Sequence, residues 1–188
     1  MRPAASGQAD VTATYAPPAG MPGPRQLDPE GLGDHLDRLY RAALGLCGDR
    51  HEAEDLVQET YARVLRKPRF VRSEDDLGYL LRVLRNTFFS TRRTAARRPR
   101  TEGIEDRLER LEDPRAQRPE AGLEREALFA VIAELPPDFR DALVAVDLVG
   151  LSYGEAARAL RVREATLTTR LHRARRRLAA GLTAAGLA

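Results

Sequence analysis

Several residue types that would indicate other classes of protein are scarce or absent in this chain of 188 residues. There is one cysteine, Cys47, which excludes an internal disulfide, fits a reducing compartment and is expected to fill a core position on a helix. No apolar run approaches membrane-spanning length, and the N-terminus lacks the charged start and apolar stretch of a signal peptide. Strand-type alternation and internal repeats are also missing. We therefore expect a cytoplasmic, all-α protein.

Lysine is equally scarce, since Lys67 is the only one among 31 basic residues. Arginine suits bidentate contacts to phosphate and guanine. A G+C-rich genome, however, explains most of the preference for arginine over lysine. The clustering of the charges is therefore the better evidence for nucleic-acid binding. Residues 83–100 carry six arginines and no acid, whereas nine acids outnumber five arginines over residues 101–126. With the arginines near the C-terminus, this pattern predicts two contacts with a polyanion, separated by an acidic segment.

Composition and apolar periodicity divide the chain into five parts. Residues 1–33 are rich in Pro, Gly and Ala and are expected to form a disordered tail. Residues 34–98 contain three amphipathic patterns, which predict a small helical bundle. Residues 99–123 combine prolines with acids and are predicted to be a flexible linker, long enough for two small domains to sit apart. Four helices are expected over residues 124–183, followed by a short tail at 184–188.

The last fifty residues have the pattern of a helix-turn-helix. Ser152 and Glu155 form a capping box that starts one short helix, and a turn at residues 161–163 precedes a second helix. The second helix has an apolar face, and its other face carries short polar groups first and arginines later. That order is expected if its N-terminus enters a major groove and its far end meets phosphates. An ordinary solvated amphipathic helix is the alternative.

Taken in order, the segments AEDLVQETYARVL, LGYLLRVLRNTFF, LPPDFRDALVAVDLVGLSYGEAARAL and TTRLHRARRRL resemble the extracytoplasmic-function (ECF) sigma factors of bacteria. The resemblance covers about residues 34–183. It implies that 34–98 is a region 2 domain, which binds core RNA polymerase and recognises and melts the −10 promoter element. It implies that 124–183 is a region 4 domain, which reads the −35 element. Core polymerase, promoter DNA and an anti-sigma factor would be the partners, with no catalysis, cofactor or metal.

The resemblance also implies roles for individual residues. Polymerase binding falls on Glu54, Asp55, Gln58 and Glu59. Binding of −10 DNA falls on Phe70, Arg72, Tyr79, Arg82, Arg85, Asn86, Arg92 and Arg93. Binding of −35 DNA falls on Thr168, Thr169, Arg170, His172, Arg173, Arg175 and Arg176.

Three positions depart from the usual pattern of these sigma factors. Relatives usually carry a basic residue at the position of Thr168 and a glycine in the turn at the position of Arg161. Threonine cannot make the bidentate contact to guanine, so a different −35 preference is expected. Many relatives have tryptophan where Tyr79 stands, and a packing role for Tyr79 is as plausible as base stacking.

Two other functions remain open at this stage. A stand-alone helix-turn-helix regulator would bind an operator as a dimer, but it leaves the acidic face at residues 54–59 without a role. A nuclease could use the carboxylates Glu54, Asp55 and Glu59, but no histidine cluster or glycine-rich loop accompanies them.

Overall fold

The computed structural model describes residues 25–27, 30–66, 70–71, 76–97 and 119–187. Helices dominate this part of the chain and confirm the all-α prediction. They are a 3₁₀ helix at Glu30–His35, α1 at Leu36–Cys47, α2 at Arg50–Leu65, α3 at Asp76–Arg97, α4 at Pro119–Ala133, α5 at Pro137–Leu143, a π-helical turn at Val144–Leu148, α6 at Tyr153–Leu160 and α7 at Glu164–Ala184. None of the described helices is long and apolar enough to cross a membrane.

Local signals set the boundary between α1 and α2. Gly48 ends α1 in the left-handed conformation, with φ of 75°, and its N–H donates to the Leu44 carbonyl. Asp49 then caps α2, because its carboxylate accepts a hydrogen bond from the Glu52 N–H at 2.9 Å. Both signals can be read from the sequence, since a glycine follows the last apolar residue of α1 and an aspartate directly precedes α2. Residues 72–75, which precede α3, lie outside the described residues.

The prediction of a disordered tail over residues 1–33 is wrong for its C-terminal part, from residue 25 onward. Arg25 and Gln26 form strand β1, which pairs antiparallel with strand β2 at Phe70–Val71. Leu27 and Leu32 are buried in the core, and the Tyr61 hydroxyl donates to the Leu32 carbonyl at 2.8 Å. Isolated leucines among prolines and glycines have no apolar period, yet their burial still contributes to stability. Residues 1–24 lie outside the described part.

The predicted linker is also too long at its C-terminal end, because α4 begins at Pro119 rather than at residue 124. Proline suits the first turn of a helix, where its missing N–H costs nothing, so the last predicted linker proline starts a helix. Residues 99–118 lie outside the described part. Four α-helices follow as expected, with the π-helical turn directly after α5.

The N-terminal unit, α1–α3, and the C-terminal unit, α4–α7, pack against each other around one continuous core. Helix α1 contacts α4, α5 and the π-helical turn, and α3 contacts α6. At the centre, Gly45 of α1 faces Ile132, Val144 and Leu148. The sequence predicts two domains able to sit apart, and in this structure they are closed together.

Candidate nucleic-acid interfaces

The helix-turn-helix is formed by α6, a tight turn and α7. The capping box is present as predicted: the Ser152 side chain accepts from the Glu155 N–H at 3.3 Å, and the Ser152 N–H donates to the Glu155 carboxylate at 2.8 Å. These hydrogen bonds hold the pKa of Glu155 below its usual value. Arg161 occupies the turn in the left-handed conformation, with φ of 57°. The turn therefore has the backbone geometry that a glycine would adopt, although it is built with an arginine.

One face of α7 is available to DNA. Leu167, Leu171 and Ala174 are buried and fix the rotation of α7 about its axis. This rotation exposes six of the seven residues predicted to bind −35 DNA, namely Thr168, Thr169, His172, Arg173, Arg175 and Arg176. They occupy successive turns of the helix that enters a major groove in helix-turn-helix proteins.

Thr168 and Thr169 each use the hydroxyl hydrogen in a hydrogen bond within α7. Thr168 donates to the Glu164 carbonyl at 2.9 Å, and Thr169 donates to the Ala165 carbonyl at 3.0 Å. Each side chain then offers a methyl group and an oxygen lone pair to its surroundings. Apolar contact with a thymine methyl is the base contact that suits such a surface.

Two of the arginines predicted to bind −35 DNA also hold α7 onto the preceding helices. Arg170 pairs with Asp138 of α5 at 2.6 Å. Arg175 makes a bidentate contact with Asp147 of the π-helical turn, with N–O distances of 2.6 and 3.0 Å. That contact raises the pKa of Arg175 above its usual value. In this conformation both arginines position the reading helix, and their contact with phosphate stays a prediction.

A cavity of about 280 Å³ lies between the end of α2 and one face of α3. Its lining consists of Arg63, Val64, Arg66, Tyr79, Val83, Asn86 and Thr87. Asn86 is exposed at the rim, whereas Thr87 is 1% exposed and its hydroxyl has no hydrogen-bond partner within the described protein. An aromatic ring, an aliphatic wall, an amide and two guanidinium groups thus line this cavity, a combination that suits the stacking, hydrogen bonding and phosphate contacts of an unstacked base.

Among the described residues predicted to bind −10 DNA, only Tyr79 and Asn86 line this cavity. Arg85 pairs with Asp141 of α5, and its guanidinium lies 4.9 Å from the Phe89 ring centroid. Arg92 lies 4.9 Å from the Phe88 ring centroid, and Arg93 is exposed. The arginines of α3 that were predicted to bind −10 DNA therefore lie outside the cavity, and Arg85 contacts the C-terminal unit.

Of three further residues predicted to bind −10 DNA, one has a buried polar atom and two have side chains that the structure does not describe. The Nε atom of Arg82 is buried without a hydrogen-bond partner within the described protein. The side chain of Phe70, like the whole of Arg72, lies outside what the structure describes.

The predicted polymerase-binding residues share one face of α2, with Asp55 and Gln58 exposed and Glu54 and Glu59 partly exposed. Arginines of the same helix partly neutralise this face. Arg50 and Glu54 pair at 3.1 Å, and Arg63 and Glu59 pair at 2.6 Å, each four residues apart.

Sequence reasoning missed Arg63, Arg66 and Thr87 as residues of the cavity. The two arginines lie one turn apart at the end of α2, so their spacing could have indicated a basic rim beside the following loop. Thr87 gives no such signal, because a threonine beside two phenylalanines is indistinguishable from an ordinary packing residue.

Comparison with known families agrees with the division into two units. Residues 32–98 match the model of Sigma-70 region 2, and residues 125–178 match that of Sigma-70, region 4. The ECF RNA polymerase sigma factor SigE of Mycolicibacterium smegmatis is 38% identical over 147 residues, which are 77% of this chain and 57% of that protein. SigM of Bacillus subtilis is 31% identical over 147 residues, covering 78% of this chain and 89% of its own length.

The chain belongs to the ECF RNA polymerase sigma factor family. Solved structures agree with that fold. The sigma factor RpoE in complex with the anti-sigma factor NepR, from Bartonella quintana, is similar with a TM-score of 0.59 and 26% identity, covering 82% of this chain and 95% of that one. The structure of CnrH in complex with the cytosolic domain of CnrY gives a TM-score of 0.58 at 22% identity, covering 82% and 86%. The N-terminal unit is hereafter region 2 and the C-terminal unit region 4.

Proposed function

We propose that this chain is an alternative sigma factor that binds core RNA polymerase and directs promoter-specific initiation through a −10 and a −35 element. It carries out no bond chemistry. The single observation that carries the proposal is that one chain combines an exposed helix face of polar and arginine side chains in region 4 with an arginine-lined cavity in region 2. The first suits an intact duplex and the second suits an unstacked base. A factor that works on RNA polymerase and promoter DNA would act in the cytoplasm.

The −35 element would be read by the exposed face of α7. Arg173 is the residue on this face that can make a bidentate contact to guanine, and His172 adds a ring nitrogen as donor or acceptor. Thr168 and Thr169, with their hydroxyl hydrogens engaged by the helix, favour contact with thymine methyl groups. Arg176, one turn further along, would contact a phosphate.

The −10 element would be read by region 2 as a single strand. A base taken out of the stack must lose its paired and stacked contacts, and it needs a pocket that replaces them. Tyr79 and Val83 supply apolar surface, and Asn86 supplies an amide able to donate and accept hydrogen bonds at the edge of a base. Arg66 places positive charge at the rim for the adjoining phosphates, and Arg63 would add to it on release from its ion pair with Glu59.

The exposed face of α2 would bind polymerase. Glu54, Asp55, Gln58 and Glu59 form an acidic surface that is poorly suited to DNA and suits a basic partner helix. The two i,i+4 arginine pairs on this face are partly exposed and individually weak, so a better matched basic partner can replace them. We also propose an anti-sigma factor as partner, because the similar sigma factor RpoE was solved in complex with the anti-sigma factor NepR.

Run-off transcription with purified core polymerase on a library of genomic fragments tests the proposal. The expected result is transcripts from a discrete set of promoters that appear only when the chain is added. Folded chain that yields no promoter-dependent transcript would contradict it. A stand-alone regulator would instead bind one class of duplex tightly without polymerase, and it would leave the α2 face and the region 2 cavity without a role.

A further inference from the structure

A short N-terminal segment packs on region 2 ahead of its first α-helix. This segment, residues 25–27 and 30–35, consists of strand β1, Leu27 and the 3₁₀ helix that leads directly into α1. The match to Sigma-70 region 2 begins at residue 32, so β1 and Leu27 lie outside the matched residues. The contacts that the segment makes indicate its role.

Strand β1 pairs with the connection between the two helices that line the cavity. The lining residues belong to the end of α2 and to α3. The chain passes from one helix to the other through residues 66–75, and Phe70–Val71 forms β2 within that connection, antiparallel to β1. The register places Gln26 opposite Phe70, which is one of the residues predicted to bind −10 DNA. The backbone of β1 therefore lies directly beside that of a predicted reading residue.

Buried leucines hold β1 in place. A ladder of two residues is marginal by itself. Leu27, which directly follows β1, is 5% exposed, and Leu32 of the 3₁₀ helix is 3% exposed. Both side chains belong to the hydrophobic core. Burying two leucine side chains stabilises the segment more than the few hydrogen bonds of such a ladder do.

A hydrogen bond from α2 fixes the 3₁₀ helix. The Tyr61 hydroxyl donates to the Leu32 carbonyl at 2.8 Å. Burial raises the pKa of Tyr61, so the hydroxyl keeps the proton that it donates. Tyr61 lies on the same helix as Val64, which lines the cavity. The N-terminal segment thus contacts both the helix that forms one wall of the cavity and the connection that follows it.

A strand held in this way is ordered before DNA binds. Ordering the backbone of a residue costs conformational entropy, and a protein that orders residues only on binding has a lower affinity. Pairing with β1 orders the backbone of Phe70 and Val71 in the free chain. Less then has to be ordered when a single strand binds, so the pairing should strengthen −10 binding.

We propose that the N-terminal segment positions β2 for recognition of the −10 element. Its residues are positioning residues that act through Phe70. This inference rests on the proposed function and adds a determinant of −10 recognition that lies partly ahead of the matched residues 32–98. Detaching the segment should weaken single-strand binding by region 2 and leave duplex binding by α7 unchanged.

Two variants of the full-length chain detach the segment in different ways. Leu27→Ser replaces a buried leucine with a small polar side chain. Tyr61→Phe removes the hydrogen bond to the Leu32 carbonyl and keeps the aromatic ring. Leu27→Met is the conservative variant, since methionine keeps the apolar burial and a similar volume. If Leu27→Ser does not fold, Tyr61→Phe decides the test.

Leu46→Ala is the control for a loss of stability alone. Leu46 is 1% exposed and lies in the last turn of α1, about 15 Å along that helix from its junction with the 3₁₀ helix. Alanine there removes core packing and leaves the contacts of the N-terminal segment in place. Urea titration ranks the variants by stability, and circular dichroism confirms that each is folded at the temperature of the binding measurements.

Hydrogen exchange reports on the pairing of the strands, and fluorescence anisotropy reports on binding. The probes are the non-template −10 strand and the −35 duplex of one promoter recovered by run-off transcription. Leu27→Ser should speed amide exchange in β2 at least about tenfold. It should weaken binding of the −10 strand about tenfold, and Tyr61→Phe should weaken it about threefold. Binding of the −35 duplex should stay within about twofold in every variant, and Leu27→Met and Leu46→Ala should bind both probes within about twofold of the wild type.

Three results would overturn the inference. They are folded Leu27→Ser with wild-type exchange in β2, faster exchange without weaker binding of the −10 strand, and an equal loss on that strand in Leu46→Ala at equal stability. Run-off transcription by the wild type separates this inference from the proposed function. Promoter-dependent transcripts together with any of the three results leave the function standing, whereas the absence of such transcripts removes both.

Discussion

The two nucleic-acid surfaces of this sigma factor differ in shape and in how their charges are held. The α7 face is convex and exposed, and ion pairs at Arg170 and Arg175 fix the helix beneath it. The region 2 surface is a cavity with an exposed amide, an orphaned buried hydroxyl and two rim arginines. A convex helix fits the groove of an intact duplex, whereas a cavity receives a base only after the duplex has opened. We therefore propose that the two units divide promoter recognition by the state of the DNA as well as by position.

Removing a base-reading side chain from α7 should produce the largest difference between the two surfaces in their affinity for DNA. Arg173→Ala should weaken binding to a −35 duplex by about 10- to 100-fold, the usual loss of one bidentate base contact. Binding of a single-stranded −10 oligonucleotide should be unchanged. Fluorescence anisotropy with both probes measures the two affinities, and Arg125→Ala, an exposed arginine on α4, is the matched control. An equal loss of affinity for both probes would contradict the assignment of duplex recognition to α7 and single-strand recognition to the cavity.

Added salt should weaken duplex binding by α7 more than single-strand binding by the cavity, although this difference is smaller. Binding falls with a log–log slope of about −0.9 per phosphate for duplex DNA and about −0.7 for a single strand. If each surface neutralises about three phosphates, affinity between 50 and 200 mM salt should fall about 40-fold for the duplex and about 20-fold for the single strand. Titrations at four salt concentrations give both slopes. A slope for the single strand as steep as that for the duplex would contradict an equal number of phosphate contacts at the two surfaces.

The cavity should distinguish bases through Asn86. In Asn86→Ala we expect the preference for the native non-template base over its alternatives to fall by about tenfold, the worth of about one hydrogen bond. Competition among −10 oligonucleotides that differ at one base measures this preference. Ser90→Ala, an exposed position one turn further along α3, serves as the control. An unchanged preference would mean that base selection lies elsewhere in region 2.

The smallest expected effect is on the turn that precedes the reading helix. Arg161 has φ of 57°, a conformation that costs about 1 kcal/mol more for a residue with a Cβ than for glycine. Arg161→Gly should therefore raise the free energy of unfolding of region 4 by about 1 kcal/mol in urea titrations. Arg161→Ala keeps the Cβ and should give no such gain. Stabilisation by alanine alone would show that the side chain, rather than the backbone, carries the strain.

The comparison also explains which parts of the molecule could be predicted from the sequence. Local signals were sufficient for the helix ends at Gly48, Asp49 and Ser152, because each depends on a few neighbouring residues. The exposed reading face of α7 was predictable for the same reason, since apolar periodicity fixes which side of a helix is buried.

Features formed by residues far apart in sequence were not predictable. The pairing of β1 with β2, the burial of Leu27 and the contact between Arg85 and Asp141 each join segments without any local pattern. The cavity belongs to the same class, because the end of α2 and one face of α3 form it together. The closed arrangement depends on Gly45, whose importance lies in the missing side chain and is visible only beside Leu148.

Run-off transcription that combines protein and promoter variants tests the central claim most directly. The account predicts that Arg173→Ala lowers transcription from the native promoter about tenfold or more and has no further effect when the −35 sequence is scrambled. Asn86→Ala should lower transcription by the same factor on both templates, because its contact lies in the −10 element. Arg173→Ala losing as much on the scrambled template as on the native one, or the absence of any factor-dependent transcript, would contradict the account.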